Sequence, residues 1–438
     1  MRPGHLWLAS LACCPLAGWP LLAHAGYRRL SRPCRAGLAA AVGSVLVSGW
    51  MTFFALAGIA WRPAAIVVLA GLTAFLLRFL PLLDSSEPAA PPEFPASRTE
   101  RLAPGVAVIS VIAAFAATAS AAATSPDLLF FWGPKAQAFA AARTVDTSFL
   151  REPFLEYMHA SYPPLVTNLY AFASIAAGRF AWGAATFVFP LCLAALASAL
   201  PGLLRTATPR GTAWAASALV VAAFGFLGNE VDVAGNGEPW LWLFETLAMV
   251  LLVGGAATTG AGQLLAGLLL AGAVSTKVEG LPFAVAAAIL FLAIRRRQLR
   301  IGRAAGFLLL PGVVSLGAWF AFGASRRLFY GYEQYGSFLD IHWNELARVL
   351  SSIASALWSA GWTLPWLLPV AALLAAPGKT RLAALPLILA AVLTGFFVFT
   401  YLHLPDSSRW IEWSAGRVFS PLLALLAIAS VCVRRQSG

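Results

Sequence analysis

The residues best suited to chemistry begin in a polar stretch between apolar ones, residues 125–170: SPDLLFFWGPKAQAFAAARTVDTSFLREPFLEYMHASYPPLVTNLY. Asp127 follows Ser-Pro and is itself followed by Phe130, Phe131 and Trp132. A carboxylate held against aromatic neighbours gains proton affinity by partial desolvation and can act as a base. The same residue ahead of a helix can serve as its N-terminal cap, which is also the natural role of Asp146 in TVDTSFL. Lys135 is one of only three lysines among 30 basic residues. A compact ammonium suits a phosphate oxygen as a point charge, or it snorkels at a membrane interface. His159 and Tyr162 stand just before Pro163-Pro164, a pair that stops a preceding helix and sets the direction of the next.

Three later patches carry similar groups. Glu238 lies in Gly235-Asn236-Gly237-Glu238-Pro239, with Glu230 and Asp232 upstream. Clustered carboxylates beside an amide can ligate a hard divalent cation, which makes Glu238 and Asp232 candidate metal ligands; a solvated loop has the same composition. Lys277-Val278-Glu279-Gly280 interrupts a long apolar region. Residues at i and i+2 do not face each other along a helix, so a helix–helix turn is expected here, with both charges free to point elsewhere. Arg417 follows a stretch containing His403, Asp406, Arg409 and Glu412. An arginine at the outer end of a span runs against the positive-inside trend, so an anionic partner is expected: Glu412 or a phosphate.

What must position these groups is a set of membrane helices. The chain has 438 residues, 60% hydrophobic and only 11% charged, against roughly a quarter charged in soluble proteins. Its net charge of +12 sits in short arginine runs (YRRLSRPCR, RTATPR, RRRQLR, VRRQSG) between apolar segments. That is the pattern of cytoplasmic loops and not of a nucleic-acid surface. The five cysteines have no paired spacing, so neither a disulfide framework nor a zinc site is expected. A span of about 20 apolar residues crosses the hydrocarbon, and thirteen candidates follow: 5–24, 38–59, 63–82, 104–123, 183–203, 211–228, 239–256, 261–276, 280–294, 304–322, 351–372, 383–401 and 417–433. The expected fold is therefore an all-α polytopic membrane bundle. The Ala23-His24-Ala25 sequence resembles a signal-peptidase site, but cleavage there would invert the arginine distribution, so an uncleaved first span is expected.

With YRRLSRPCR cytoplasmic, every later arginine run is cytoplasmic only if 163–178 is an interfacial or re-entrant helix and not a full crossing. The polar patches at 125–162, 228–240, 276–280, 323–349 and 402–416 then share the external face. Ionisable groups among apolar helices are costly and mark a pathway or site.

The order of Asp127, Trp132-Gly133-Pro134-Lys135-Ala136, Tyr162-Pro163-Pro164-Leu165, Glu238, Lys277-Val278-Glu279-Gly280 and Arg417 resembles the GT-C superfamily of integral-membrane glycosyltransferases. The likeness is to the bacterial mannosyltransferase and aminoarabinose-transferase type. It covers about residues 104–433, placing residues 1–100, with their Pro-rich linker, outside a GT-C-like domain at 101–438. The K-x-E-G element has Val278 where the family has Asn, and the second acidic position is Glu238 where an Asp is usual. The resemblance implies a polyprenyl-phosphate sugar donor, inversion at the anomeric carbon, Asp127 as catalytic base, and substrate contacts from Lys135, His159, Tyr162, Glu238, Lys277, Glu279 and Arg417. It also implies a glycan, lipid or protein acceptor and a multi-pass protein of the bacterial inner membrane with its site facing the periplasm, with a divalent cation as an open cofactor question. The competing expectation is a transporter or flippase of a lipid-linked or anionic substrate, which would place paired charges at mid-membrane depth.

Overall fold

The structure, a computed structural model, describes residues 3–80, 98–120, 125–152, 160, 162–206, 208–230, 233–328, 340–359, 381–404 and 406–434. Among them all regular structure is helical. The chain runs through α1 (Pro3–Leu11), α2 (Cys13–Leu22), α3 (Arg32–Leu56), α4 (Pro63–Leu77), α5 (Arg98–Ser120), a π-turn (Leu128–Trp132), α6 (Gly133–Ala142) and α7 (Thr147–Leu150). It continues with α8 (Leu165–Ala177), α9 (Trp182–Ala185), α10 (Val188–Leu204), α11 (Arg210–Glu230), α12 (Glu238–Gly254) and α13 (Gly260–Thr276). The last third comprises α14 (Gly280–Arg295), α15 (Ile301–Ser325), α16 (Leu346–Ser359), α17 (Arg381–His403), α18 (Ser407–Val418) and α19 (Pro421–Arg434).

Helices that are apolar all round must be buried on every side or face lipid. Both kinds are present: every residue of α12 and α13 is buried, whereas α5 and α15 expose Val106, Ile109, Leu310 and Val313. Six stretches are long and apolar enough to cross a bilayer: Gly4–Leu22, Arg32–Leu56, Arg101–Ser120, Trp182–Leu204, Ile301–Ser325 and Ala384–His403. A seventh is reached if α18 and α19, bent by 44° at their junction, count as one span. The expected spans at 63–82, 239–256, 261–276 and 280–294 form α4, α12, α13 and α14, helices of 15 to 17 residues. At ~1.5 Å per residue these fall short of the ~30 Å hydrocarbon layer. The expected span at 351–372 begins in α16, which ends at Ser359; its continuation lies outside the described residues.

The segment expected at 163–178 is α8, 13 residues opened by Pro164 and closed by left-handed Gly178. It is too short to cross, and its first ten residues are buried. Asn168 on α8 donates from Nδ2 to the Ser48 carbonyl, Ser48 Oγ and Thr52 Oγ1 of α3.

The first four helices share the core of the remainder. Trp7 Nε1 donates to Ser174 Oγ at 3.1 Å, the Tyr27 hydroxyl to the Ala261 carbonyl at 2.6 Å, and Cys34 Sγ to the Ala199 carbonyl at 3.3 Å. Cys13, Cys14, Cys34 and Cys192 are free thiols. Small residues let these helices approach closely: a Cβ on Gly43 of α3 would sit 1.7 Å from the Cys14 carbonyl oxygen, and one on Gly18 of α2 2.2 Å from that of Ala39. Gly43→Leu is therefore expected to separate α2 from α3 and destabilise the protein by about 2 kcal/mol or more, read as a lowered unfolding temperature in detergent.

Candidate functional site

The Gly235–Glu238 turn is fixed by its neighbours. Gly235 has φ +86°, and a Cβ there would meet the Leu128 side chain at 2.6 Å. The Tyr170 hydroxyl donates to the Gly235 carbonyl at 2.9 Å, and Ser125 Oγ to Asn236 Oδ1 at 2.5 Å. Gly237 leaves room for the Lys277 stem and the Trp132 indole, 3.1 and 3.3 Å from where its Cβ would stand. Glu238 is thereby delivered as the first residue of α12, 3% exposed. It is not the side chain of a solvated loop.

Around that buried carboxylate the expected residues converge. Lys277 Nζ donates to Glu238 Oε1 at 2.9 Å and lies 3.5 Å from Glu279 Oε1. The K-V-E-G element is indeed a turn between α13 and α14, tight because a Cβ on Gly280 would lie 2.2 Å from the Ala273 carbonyl. Lys277 reaches Glu238 outside the element, as such a turn allows, and also meets Glu279 within it. Lys277 stands in extended backbone (φ −148°, ψ 159°), where helical spacing does not apply. Arg417 Nη1 donates to Asp127 Oδ2 at 2.6 Å and lies 3.8 Å from Glu238 Oε1. Its anionic partners are thus Asp127 and Glu238, and not Glu412.

Asp127 makes no capping hydrogen bond; its side chain reaches Arg417, 290 positions along the chain. Asp146 does cap, accepting from the Ser148 and Phe149 amides. Arg417 is set by the break between α18 and α19: Trp242 Nε1 donates to Ser420 Oγ, which donates to the Arg417 carbonyl.

Lys135 occupies the next layer. Its ammonium lies 3.6 Å from the centre of the Phe131 ring and 5.1 Å from that of Trp132, the indole that also touches Gly237. At 3% exposure it does not snorkel, and burial pushes its ammonium well below the ordinary lysine value. Tyr162 packs on Phe131 at 5.4 Å and acts electrostatically on Lys277. His159 and Asp232 lie outside the described residues.

Electrostatics hold the centre together. Burial alone would raise the Glu238 carboxyl, but Lys277 and Arg417 overrule it and bring it down to about 2. Burial would lower the Lys277 ammonium, yet Glu238 and Glu279 hold it above its ordinary value. Glu238 Oε1 is committed to these cations, and among the described residues no group of three His, Cys, Asp or Glu side chains could hold a metal. Asp232, the other residue considered for a divalent cation, lies outside the described residues.

One carboxylate in this site escaped sequence reading. Glu245 is the sole ionisable residue inside the α12 apolar run, 3% exposed, and with Glu238, Lys277, Glu279 and Arg417 it lines a narrow cavity walled by Leu241, Leu393, Phe397 and Pro421. The available signal was its spacing: seven residues after Glu238 is two helical turns, hence the same face.

Because the folded Glu238 carboxyl is depressed, its stabilisation is complete above the ordinary carboxylate range and is lost as pH falls from about 4.3 towards 2. Glu238→Gln should flatten the fall in unfolding temperature between pH 5 and pH 3 by roughly the same linkage. Lys277→Met alone should cost about 3–5 kcal/mol, most of it recovered in the double variant with Glu238→Gln, as when a buried pair is removed whole. No protein family, curated protein or solved structure matches this chain.

Proposed function

We propose that the protein is a GT-C-like glycosyltransferase that moves a sugar from a polyprenyl-phosphate donor to an acceptor at the external face of the membrane, with inversion. The observation that carries this reading is the meeting of Asp127, Glu238, Lys277, Glu279 and Arg417, drawn from four separate polar segments, in one cluster. In this reading the shorter apolar helices, extended by their flanking residues, make up the remainder of a bundle of about thirteen spans in the bacterial inner membrane.

The chemistry assigned to the cluster is a single displacement. The acceptor hydroxyl oxygen forms a bond to the anomeric carbon, its proton passes to the Asp127 carboxylate, and the bond from the anomeric carbon to the phosphate oxygen breaks with its electrons leaving on the phosphate. Among the described residues Arg417 engages Oδ2 of Asp127, so Oδ1 is the oxygen placed to take the proton. Lys277 and Arg417 stabilise charge developing on the leaving phosphate. Because Arg417 is bound to Asp127 beforehand, an arriving phosphate competes for the guanidinium, and docking of the donor frees the base. Lys135 and Tyr162, one ring layer away, border the path to the cluster, and the lipid-facing helices accommodate the prenyl chain.

A second reading, transport or flipping of a lipid-linked or anionic substrate, draws support from Glu245. It is a buried acid inside an otherwise apolar helix, and ionisable groups so placed mark transport pathways.

Incubation of purified protein with radiolabelled polyprenyl-phosphate sugars separates the two: transfer moves label into a new covalent product, whereas flipping only relocates it. Asp127→Asn should lower transfer by at least about 10²-fold, the lower bound for losing a general base, while leaving folded, membrane-inserted protein. Undiminished turnover in that variant removes Asp127 as the base. A reporter fused within 205–210 should read as cytoplasmic.

A further inference from the structure

Residues 1–83 contain seven arginines and not one aspartate, glutamate or lysine. Five of the seven, Arg28, Arg29, Arg32, Arg35 and Arg78, belong to the turn after α2, the start of α3 and the end of α4. Because α2 packs on both α3 and α4, the fold gathers them. The Arg35 guanidinium lies 5.5 Å from the centre of the Trp19 ring on α2, and that of Arg78 lies 5.4 and 5.2 Å from the Phe75 and Phe79 rings. His24, five residues after Trp19, ties the two together, since the charges of Arg28 and Arg78 both act on it. The Gly26 amide donates to His24 Nδ1 at 3.0 Å, so the neutral ring carries its proton on Nε2 and adds a donor. Arg32 and Arg35 also stand in the first turn of α3, which holds no acid and where the helix dipole disfavours cations.

An arginine run that served only to orient the chain in the membrane would stay hydrated, as exposed Arg296 and Arg297 do. Arg35 and Arg78 are half-buried instead, and Arg35 Nε is buried with no hydrogen-bond partner among the described residues. Guanidinium forks held on aromatic rings are oriented for phosphate oxygens. Behind them the surface is apolar: Leu16 and Trp19 are exposed on α2, and Leu72, Phe75 and Leu76 on α4. The guest that fits is negative at one end and hydrocarbon at the other.

We propose that this end of α2, α3 and α4 is a binding site for an anionic phospholipid, its phosphate held by Arg28, Arg32, Arg35 and Arg78 and its acyl chains lying along α2 and α4. Basic pockets between membrane helices bind such headgroups, each arginine contributing about fivefold in affinity. The site is separate from the ion-pair cluster. From this end α3 runs ~37 Å to its other, beyond which the Trp61 amide donates to the Arg143 carbonyl at the close of α6. It stands whether or not the chain transfers sugars.

The test titrates the full chain in detergent with dioleoyl phosphatidylglycerol, tetraoleoyl cardiolipin or dioleoyl phosphatidylethanolamine, and counts bound lipid by native mass spectrometry. At least one of the two anionic lipids should bind about tenfold or more tightly than zwitterionic phosphatidylethanolamine. Arg35→Gln with Arg78→Gln should weaken that lipid about 25-fold, as two charges are lost. Arg28→Gln with Arg32→Gln, at exposed positions, should do the same without disturbing a packed side chain. Removing two charges from the other run, in Arg296→Gln with Arg297→Gln, should change binding by less than about twofold, because those charges lie outside the site. Sodium phosphate, which has the charge and no acyl chain, should not displace the lipid at matched ionic strength. Equal binding of phosphatidylethanolamine overturns the proposal, since the arginines are then answered within the chain, by the linker acids Asp84, Glu87 and Glu93. An equal loss in the Arg296 and Arg297 variant overturns it as well, by making the binding a diffuse property of that face. So does displacement by phosphate alone.

Discussion

A carboxylate at the first residue of a fully buried helix is tolerated only if positive charge is brought to it, and Glu238 imposes that requirement on the rest of the bundle. Removing an ion from water costs several kcal/mol even after relaxation. The compensation comes from Lys277, at the far end of α13, and from Arg417, at the junction of α18 and α19. Both are long side chains on stems that must be threaded between apolar helices, so the positions of three chain breaks are mutually dependent. Arg417 then carries the constraint on to Asp127, and through it to the π-turn at Leu128–Trp132.

The glycines nearby are intelligible in the same terms. Gly237 makes way for the stem of Lys277, Gly280 lets α14 fold back against the end of α13, and Gly133 lies under the Trp182 ring, 2.2 Å from where a Cβ would be. Each sits where a charged residue must approach backbone or an aromatic plate must lie flat. The hydrogen-bond chain from Trp242 through Ser420 to the Arg417 carbonyl ties the guanidinium to the same helix that presents Glu238. Two partners of one ion contact are thus anchored to a common scaffold.

Much of this was legible in the residues. Charges that survive in a chain with 11% charged residues are conspicuous, and the groups at 127, 238, 277, 279 and 417 were identified before any geometry was known. Composition also gave the helical class. Pairing was harder, because Glu412 is five residues from Arg417 while Asp127 is 290 away, and sequence distance carries no information about which of them is the partner. The ends of α12, α13 and α14 fall within two residues of the expected stretches, but crossing is not legible from them, since an unbroken apolar run marks burial whether the neighbour is lipid or another helix. Glu245 went unremarked because a single acid within a hydrophobic run does not disturb its hydropathy. Residues 1–100 were set apart by a Pro-rich linker, a signal of chain composition that says nothing of the contacts Trp7, Tyr27 and Cys34 make across the core.

Of the five charged side chains that ion-pair contacts join around Glu238, three are anions and two are cations. Such a mouth tolerates a guest of single negative charge that can borrow the arginine, and it repels one of higher valence. Under the transfer reading the incoming lipid is a phosphodiester of charge −1, whereas the lipid left behind is a monoester approaching −2 near neutral pH. In that reading the proton held by Asp127 leaves two anions facing two cations while the monoester forms, and only when Asp127 gives that proton up does the excess acid return and make the spent carrier the less welcome of the two.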